Sequence, residues 1–225
     1  EKMSKRNGAK PVTQYRDEGF LPDAMINYLA RLGWSHGDDE IFSRDQLLQW
    51  FSLDHLGRSA AQFDEAKLRW VNGQHIKAKA DSALAPLVAQ HLAQRGVQAD
   101  ERLSAMCGLF KDRCDTTVTL ADWAIKFYAN VDLSEADVST QVPAAVRPAL
   151  AALAQQLSTC TWDTAGIAAS IKTVLLSHSL KMPQLAMPVR LLVMGTAQTP
   201  SLDAVLALCQ REQVQLRLRR GFEGV

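Results

Sequence analysis

Basic residues and a glycine crowd the first ten positions of the sequence, which read EKMSKRNGAK. Lysine ammonium groups attract phosphate oxygens as point charges, and a glycine such as Gly8 lets the backbone come close to a bound anion. A serine hydroxyl lies among these cations. The residue types and their spacing predict that this phosphate loop (residues 1–10) wraps the oxygens of a polyphosphate.

A second stretch whose residue types could support catalysis is the acidic turn (residues 35–40), which reads SHGDDE. The carboxylates of Asp38, Asp39 and Glu40 follow His36 closely. General acid–base catalysis would require paired carboxylates on either side of a pocket. Acidic side chains in a turn before a helix more often favour the helix N-terminus or remain in solvent. We therefore predict a structural role for the acidic turn.

Composition limits what these motifs can mean. The chain has 225 residues, of which 47% are hydrophobic and 22% charged, so it can bury a core and is expected to divide into small modules. Its formal net charge is +1, so any contact with RNA must come from local basic patches rather than from an overall field. No apolar run is long enough to span a membrane.

The cysteines do not indicate a metal site or a disulfide framework. Cys107, Cys114, Cys160 and Cys209 include no C-x-x-C pair. We interpret them as buried, reduced thiols. No metal site is predicted anywhere in the chain.

Hydrophobic periodicity predicts helices along the chain and no strand, so the fold class is predicted to be all-α. Pro22 opens a helix that Gly33 ends, and Ser43 with Gln46 forms a capping box before the next helix. A polar break at residues 132–143 suggests a boundary between modules. In the second part of the chain, helices are predicted at residues 84–95, 100–111, 120–130, 143–157, 163–178, 188–194 and 200–213.

The phosphate loop resembles a known signature. KMSKR at residues 2–6 is similar to the KMSKS loop of class I aminoacyl-tRNA synthetases. Residues 15–35, YRDEGFLPDAMINYLARLGWS, resemble bacterial-type glutamyl-tRNA synthetase, as do FDEAKLRWVN at 63–72 and MPVRLLVMGTAQTPSL at 187–202. The resemblance covers essentially the whole chain. It implies a C-terminal portion of that enzyme, from the KMSKS loop onward, without the nucleotide-binding catalytic fold.

The resemblance implies a reaction for the parent enzyme, which activates glutamate with ATP and Mg²⁺ and transfers it to glutamate tRNA. Lys5 is then the catalytic residue, and Lys2, Ser4, Lys5 and Arg6 bind ATP. The chain alone is expected to be inactive and to bind no cofactor tightly. It is expected to be a cytoplasmic monomer that does not bind a membrane. HLGR at residues 55–58 half-matches the other class I signature, but it lacks the second histidine and follows the lysine loop, so we assign it no role.

The resemblance also implies an order of domains and a set of tRNA contacts. A stem-contact region with the KMSKS loop is expected at 1–76, and two helical anticodon-binding subdomains at 77–134 and 135–225. The implied tRNA contacts are Lys67, Lys111, Arg113, Arg190 and Thr199.

The contacts at residues 111 and 113 also have a physical rationale. Lys111 and Arg113 follow Phe110 at a predicted helix end, where a guanidinium can bond a base edge and an aromatic ring can stack on a base. The alternative is that these cations only complement the helix dipole. For Lys67 and Trp70, the resemblance implies a helix that carries both toward the core and the tRNA arm; the alternative is that Trp70 seals a core stripe that includes Leu68.

The remaining contacts belong to the 195–201 loop and its surroundings. Arg190 precedes this loop and Thr199 lies in it, before a helix that Pro200 is expected to open. Met194 stands where the family usually has threonine, which removes one hydroxyl contact. The basic cluster of Arg217, Arg219 and Arg220 is interpreted as a solvated tail or as a rim of phosphate contacts.

One alternative function remains open at this stage. The chain could be a free-standing helical tRNA-binding module without ligase activity, in which the lysine loop is a relic or a generic phosphate contact. A glutaminyl-specific relative is disfavoured, because that family reads the anticodon with β-barrels. The resemblance does not decide whether glutamine tRNA is also charged.

Overall fold

The computed structural model describes Ser4, Arg6 and residues 8–223, apart from the side chains of residues 135 and 136. These residues form thirteen α-helices and several short 3₁₀ turns, with no β-strand among them. The all-α prediction is therefore confirmed. Over the same residues, no helix is both long and apolar enough to cross a membrane.

The chain divides into two compact units, Glu1–Ala124 and Ile125–Val225. From the sequence, boundaries are expected at 76–77 and 134–135 instead. The three-part division remains a prediction.

The described residues of unit 1 form seven α-helices, with 3₁₀ turns at Leu53–His55 and Lys111–Arg113. The α-helices are α1 (Val12–Asp17), α2 (Pro22–Arg31), α3 (Arg44–Trp50), α4 (Glu65–Ala78), α5 (Asp81–Gln94), α6 (Leu103–Phe110) and α7 (Thr117–Ala124).

Helix starts in unit 1 follow local sequence rules. Pro22 is the first residue of α2, where its missing N–H group carries no penalty. The predicted capping box opens α3: the Gln46 N–H group donates to Ser43 Oγ at 3.1 Å, and the Ser43 N–H group donates to Gln46 Oε1 at 2.9 Å. Asp64 caps α4 by accepting from two backbone N–H groups. These caps fix where α3 and α4 begin.

Apolar side chains at helical spacing build the core of unit 1. Helix α5 buries Leu84, Val88 and Leu92, which lie one above another on a single face. Helix α4 buries Leu68 and Val71 among others. Each such side chain stabilises the fold by about 1.5–3 kcal/mol when it is fully removed from water.

Unit 2 begins with a 3₁₀ turn at Ile125–Phe127 and has another at Ala144–Val146. Its α-helices are α8 (Glu135–Gln141), α9 (Arg147–Thr159), α10 (Thr164–Ser177), α11 (Met182–Met194), α12 (Leu202–Leu208) and α13 (Arg211–Arg219). Asp163 caps α10 by accepting from the Gly166 N–H group at 2.7 Å. Gly195 ends α11 in the left-handed conformation, with φ at 73°.

Two predicted helices of unit 2 differ from the structure. The helix expected at 188–194 begins at Met182, so Pro188 lies in its interior. Pro188 has no N–H group to donate to the helix, but fully buried neighbours such as Leu185 and Val189 stabilise α11 through their packing. The helix expected at 200–213 is two helices, α12 and α13, separated at residues 209–210. Trp162 Nε1 donates to the Cys209 carbonyl at this break, at 2.8 Å.

Candidate nucleic-acid interface

The phosphate loop lies partly outside the described residues, which exclude Lys2 and Lys5. Of the other predicted contacts, Arg6 is exposed and Ser4 is half-buried. The Ala9 N–H group donates to the Ser4 carbonyl at 3.1 Å. The roles predicted for Lys2, Ser4, Lys5 and Arg6 remain predictions.

Lys10 anchors the end of the phosphate loop. Its ammonium lies 2.9 Å from Glu18 Oε2 and 3.3 Å from Glu65 Oε1, so it joins the ends of α1 and α4. The hydrogen bond to Glu18 raises the pKa of Lys10 and lowers the pKa of Glu18. Lys10 is therefore held by the protein, whereas Arg6 faces solvent.

The acidic turn makes contacts within unit 1. The His36 ring stacks on Trp50, with centroids 4.1 Å apart and planes at 6°. His36 Nδ1 lies 2.9 Å from Asp39 Oδ2. Asp38 is exposed. These contacts and this exposure agree with the predicted structural role.

Glu40, the last residue of the turn, connects two helices through ion pairs. Its Oε1 atom lies 2.8 Å from Lys67 Nζ on α4 and 3.6 Å from Arg31 Nη1 on α2. The hydrogen bond from Lys67 is the main cause of a lowered pKa at Glu40. All three side chains line a small groove of about 190 Å³.

Lys67 also contacts an exposed aromatic ring. Its ammonium lies 4.2 Å from the centroid of the Trp70 ring, within the range of a cation–π interaction. Trp70 is 41% exposed, so the alternative in which it seals the core is wrong; the adjacent Leu68 and Val71 are buried in its place. Lys67 and Trp70 together present a cation and a ring face to solvent.

The predicted anticodon residues at the end of α6 differ in their surroundings. Lys111 Nζ lies 2.8 Å from Asp81 Oδ1 and donates to the Lys79 carbonyl at 3.0 Å, and its side chain is only 19% exposed. Lys111 thus connects the 3₁₀ turn to the start of α5. Arg113 is exposed, and within the described part of the chain no hydrogen bond or ion pair engages it.

A buried asparagine, which the sequence analysis missed, fixes the segment that carries Arg113. The Leu21 N–H group donates to Asn72 Oδ1 at 2.8 Å, and Asn72 Nδ2 donates to the carbonyls of Gly19, at 3.1 Å, and Asp115, at 2.6 Å. Asn72 is fully buried in α4. The only local signal was a polar residue next to Val71 on a helix with an apolar face.

In unit 2 the structure brings the two predicted contacts of the 195–201 loop together. Thr199 Oγ1 donates to the Pro200 carbonyl at 2.8 Å, and Arg190 Nη2 lies 3.5 Å from the same oxygen. Thr199 is 8% exposed. Arg190 Nε is buried and has no hydrogen-bond partner among the described residues. Met194 is fully buried, so a side chain at this position faces the core.

The interpretation of the C-terminal arginines as a solvated tail or a rim of phosphate contacts is wrong for Arg217. Arg217 is 7% exposed and donates to the carbonyls of Val193 and Ala129, both at 2.6 Å. Burial lowers its pKa. Arg219 and Arg220 are both exposed, and Arg220 donates to the Leu133 carbonyl at 2.7 Å.

The cysteines are free thiols, and Cys107, Cys114 and Cys209 are buried. Burial raises the pKa of Cys107 to about 12 and that of Cys114 to about 11, so both stay protonated at neutral pH. The described residues contain no group of three or more His, Cys, Asp or Glu side chains placed to hold a metal ion.

Comparison with known proteins places this geometry in a family. Residues 83–222 match the family model described as "Anticodon binding domain", and residues 1–70 match "tRNA synthetases class I (E and Q), catalytic domain". The glutamate–tRNA ligase of Albidiferax ferrireducens is 71% identical over 219 residues, which covers 97% of this chain and 47% of the relative. The ligase of Paracidovorax citrulli is 67% identical over 223 residues, with the same coverage of 97% and 47%.

The chain belongs to the anticodon-binding-domain family of the glutamate–tRNA ligases. The resemblance noted in the sequence is therefore confirmed. The chain spans about half the length of the curated relatives it matches.

Solved structures of this family share the fold. The glutamate tRNA ligase of Elizabethkingia meningosepticum, crystallised in complex with its amino acid, superposes with a TM-score of 0.86 at 25% identity and covers 98% of this chain and 48% of its own. The glutamate–tRNA synthetase of Elizabethkingia anophelis gives 0.84 at 26% identity, with coverage of 100% and 48%.

Proposed function

We propose that this chain is the tRNA-binding portion of a glutamate–tRNA ligase and that it binds glutamate tRNA. The observation that carries the proposal is the 71% identity to a glutamate–tRNA ligase over nearly the whole chain. The match of residues 83–222 to an anticodon-binding domain supports the same conclusion. A role in translation implies a cytoplasmic protein, and we propose that it acts as a monomer.

In this proposal, the tRNA contacts are side chains that differ in how far the protein already engages them. Arg113 has a free guanidinium at the end of the first anticodon-binding segment, and Arg190 with Thr199 lies at the 195–201 loop. Lys67 offers a cation beside the exposed Trp70 ring. Lys111 and Lys67 are the weaker of the proposed contacts, because Asp81 and Glu40 lie 2.8 Å from their respective ammonium groups.

The phosphate loop acts in the whole enzyme, according to this proposal. Lys5 stabilises the charge that builds on the triphosphate as glutamate attacks the α-phosphorus, and Lys2, Ser4 and Arg6 help to hold ATP with its Mg²⁺. Such stabilisation is effective because the cations are already in place when charge develops. The glutamyl group then passes to the terminal adenosine of the tRNA.

Two assays on the chain as it stands test the proposal. We expect it to bind glutamate tRNA and to show no glutamate-dependent exchange of pyrophosphate into ATP, with or without tRNA. Failure to bind glutamate tRNA would contradict the binding role. Measurable exchange by the chain alone would contradict the expectation that its catalysis requires the rest of a ligase.

A further inference from the structure

The C-terminal end of α11 depends on cationic side chains for its hydrogen bonds. The last four carbonyls of an α-helix have no partner inside the helix. Arg217 donates to the Val193 carbonyl at 2.6 Å, and Lys126 Nζ donates to the Met194 carbonyl at 2.9 Å. Both carbonyls lie immediately before Gly195, where the 195–201 loop begins.

The second branch of Arg217 reaches a different segment. Its other terminal nitrogen donates to the Ala129 carbonyl at 2.6 Å, so one rigid guanidinium connects two backbone oxygens. Arg220, one turn further along, donates to the Leu133 carbonyl at 2.7 Å. Arg217 and Arg220 therefore hold residues 129–133, and Arg217 also holds the end of α11.

Residues 129–133 in turn support the start of the loop. A β-carbon placed on Gly195 would lie 2.6 Å from Val131 Cγ1, so the backbone at Gly195 packs directly on Val131. Gly195 has φ at 73°, which confines this close turn to glycine. The loop therefore leaves α11 from a turn that is packed on one side and hydrogen-bonded through Arg217 on the other.

We propose that Arg217 is a positioning residue for RNA recognition by the 195–201 loop: by joining the Val193 and Ala129 carbonyls, it sets the direction in which the loop carries Thr199. The proposal rests on the proposed function, since it assumes that this loop contacts tRNA. Arg217 is buried and is not itself expected to touch RNA.

Arg211 provides a matched control on the same helix. It also donates to two backbone carbonyls, those of Ser158 at 3.2 Å and Cys160 at 2.5 Å, but these lie at the end of α9. Replacing Arg211 with methionine removes a comparable pair of hydrogen bonds without touching the end of α11. Arg217→Lys is the conservative variant, which keeps the cation but lacks the fork that spans two carbonyls.

The experiment measures amide hydrogen exchange in the 195–201 loop and affinity for glutamate tRNA and for anticodon-substituted forms of it. Arg217→Met should accelerate exchange in the loop at least tenfold and reduce discrimination among these tRNAs at least fivefold. Arg217→Lys should lie between Arg217→Met and the wild type. Arg211→Met should lower the melting temperature but change neither quantity.

Two results would overturn the proposal. In the first, both methionine variants change loop exchange and discrimination alike, which would reduce Arg217 to a general stabilising role. In the second, Arg217→Met loosens the loop while discrimination is unchanged. If the wild-type chain does not bind glutamate tRNA, the proposed function fails, and the exchange rates alone still decide whether Arg217 holds the loop.

Discussion

Cationic side chains in this protein serve two different purposes, which their burial and partners distinguish. Lys111 and Arg217 donate to backbone carbonyls and so hold segments of the fold together. Arg113 and Arg219 are exposed. In a chain with a net charge of only +1, the exposed cations are the candidates for contact with RNA phosphates and bases.

Arg113→Ala tests this distinction. If Arg113 reads an anticodon base, its loss should reduce discrimination among anticodon variants by about 1–3 kcal/mol, the value of a bidentate base contact. Stability should change by no more than about 0.5 kcal/mol, because the residue is on the surface. Binding titrations with wild-type and anticodon-substituted glutamate tRNA, together with thermal melts, provide both measurements.

Lys111→Ala is the comparison for Arg113→Ala. It removes the contacts of Lys111 with Asp81 and with the Lys79 carbonyl. We therefore expect a loss of about 1–2 kcal/mol of stability. This value is at the low end for hydrogen bonds to charged groups because Asp81 is partly exposed. Discrimination should change little. The opposite pattern, with selectivity lost at Lys111 and stability lost at Arg113, would reverse the two assignments.

At the scale of elements, some helix starts could be predicted from local signals and others could not. Pro22 and the Ser43–Gln46 capping box depend only on nearby residues, and they begin α2 and α3 as expected. Pro188 instead lies inside α11, and α12 begins at Leu202 rather than at Pro200. The break between α12 and α13 could not be predicted, because the Trp162 indole that binds the Cys209 carbonyl is distant in the sequence.

The same limit applies to the candidate site. The sequence pointed to Arg113, Arg190 and Thr199, but it could not show which cations are engaged by the protein. Arginine is seldom buried, so Arg217 was expected in solvent. Its position follows from two carbonyls that come together only when α11 and α13 pack in unit 2.

Half-buried histidines in α4 and α5 make unit 1 sensitive to acid. His75 Nε2 lies 2.8 Å from Asn27 Oδ1, and His91 Nε2 lies 2.9 Å from Thr117 Oγ1. Burial lowers the pKa of both rings in the folded chain. The unfolded chain, with histidine pKa values of about 6.5, then binds more protons, so stability is present above about pH 6.5 and is lost as the pH falls.

Urea unfolding at pH 7.5, 6.0 and 5.0 measures this effect. The double variant His75→Gln/His91→Gln should lose less stability than the wild type between pH 7.5 and 5.0. His55→Gln, at an exposed position, should follow the wild type. Parallel losses in all three proteins would show that other groups cause the acid sensitivity.

At the scale of the whole molecule, the low net charge means that affinity for tRNA should depend on a few individual contacts. Each phosphate contact releases counterions, so the salt dependence of binding counts those contacts. A base contact instead changes the preference among sequences. The two kinds of contact can therefore be separated in one set of titrations.

Arg219→Ala is the variant that applies this test to the end of the chain. Arg219 is exposed, so we expect it to contact a phosphate. Its loss should weaken the binding of all tRNA variants equally and reduce the slope of log K against log salt by about 0.7, the value for one contact with a single strand. Arg220→Ala removes the bond to the Leu133 carbonyl and should lower the melting temperature instead. An unchanged salt slope for Arg219→Ala would show that Arg219 does not contact a phosphate. A loss of affinity confined to one anticodon variant would show that Arg219 contacts a base, because only base contacts depend on sequence.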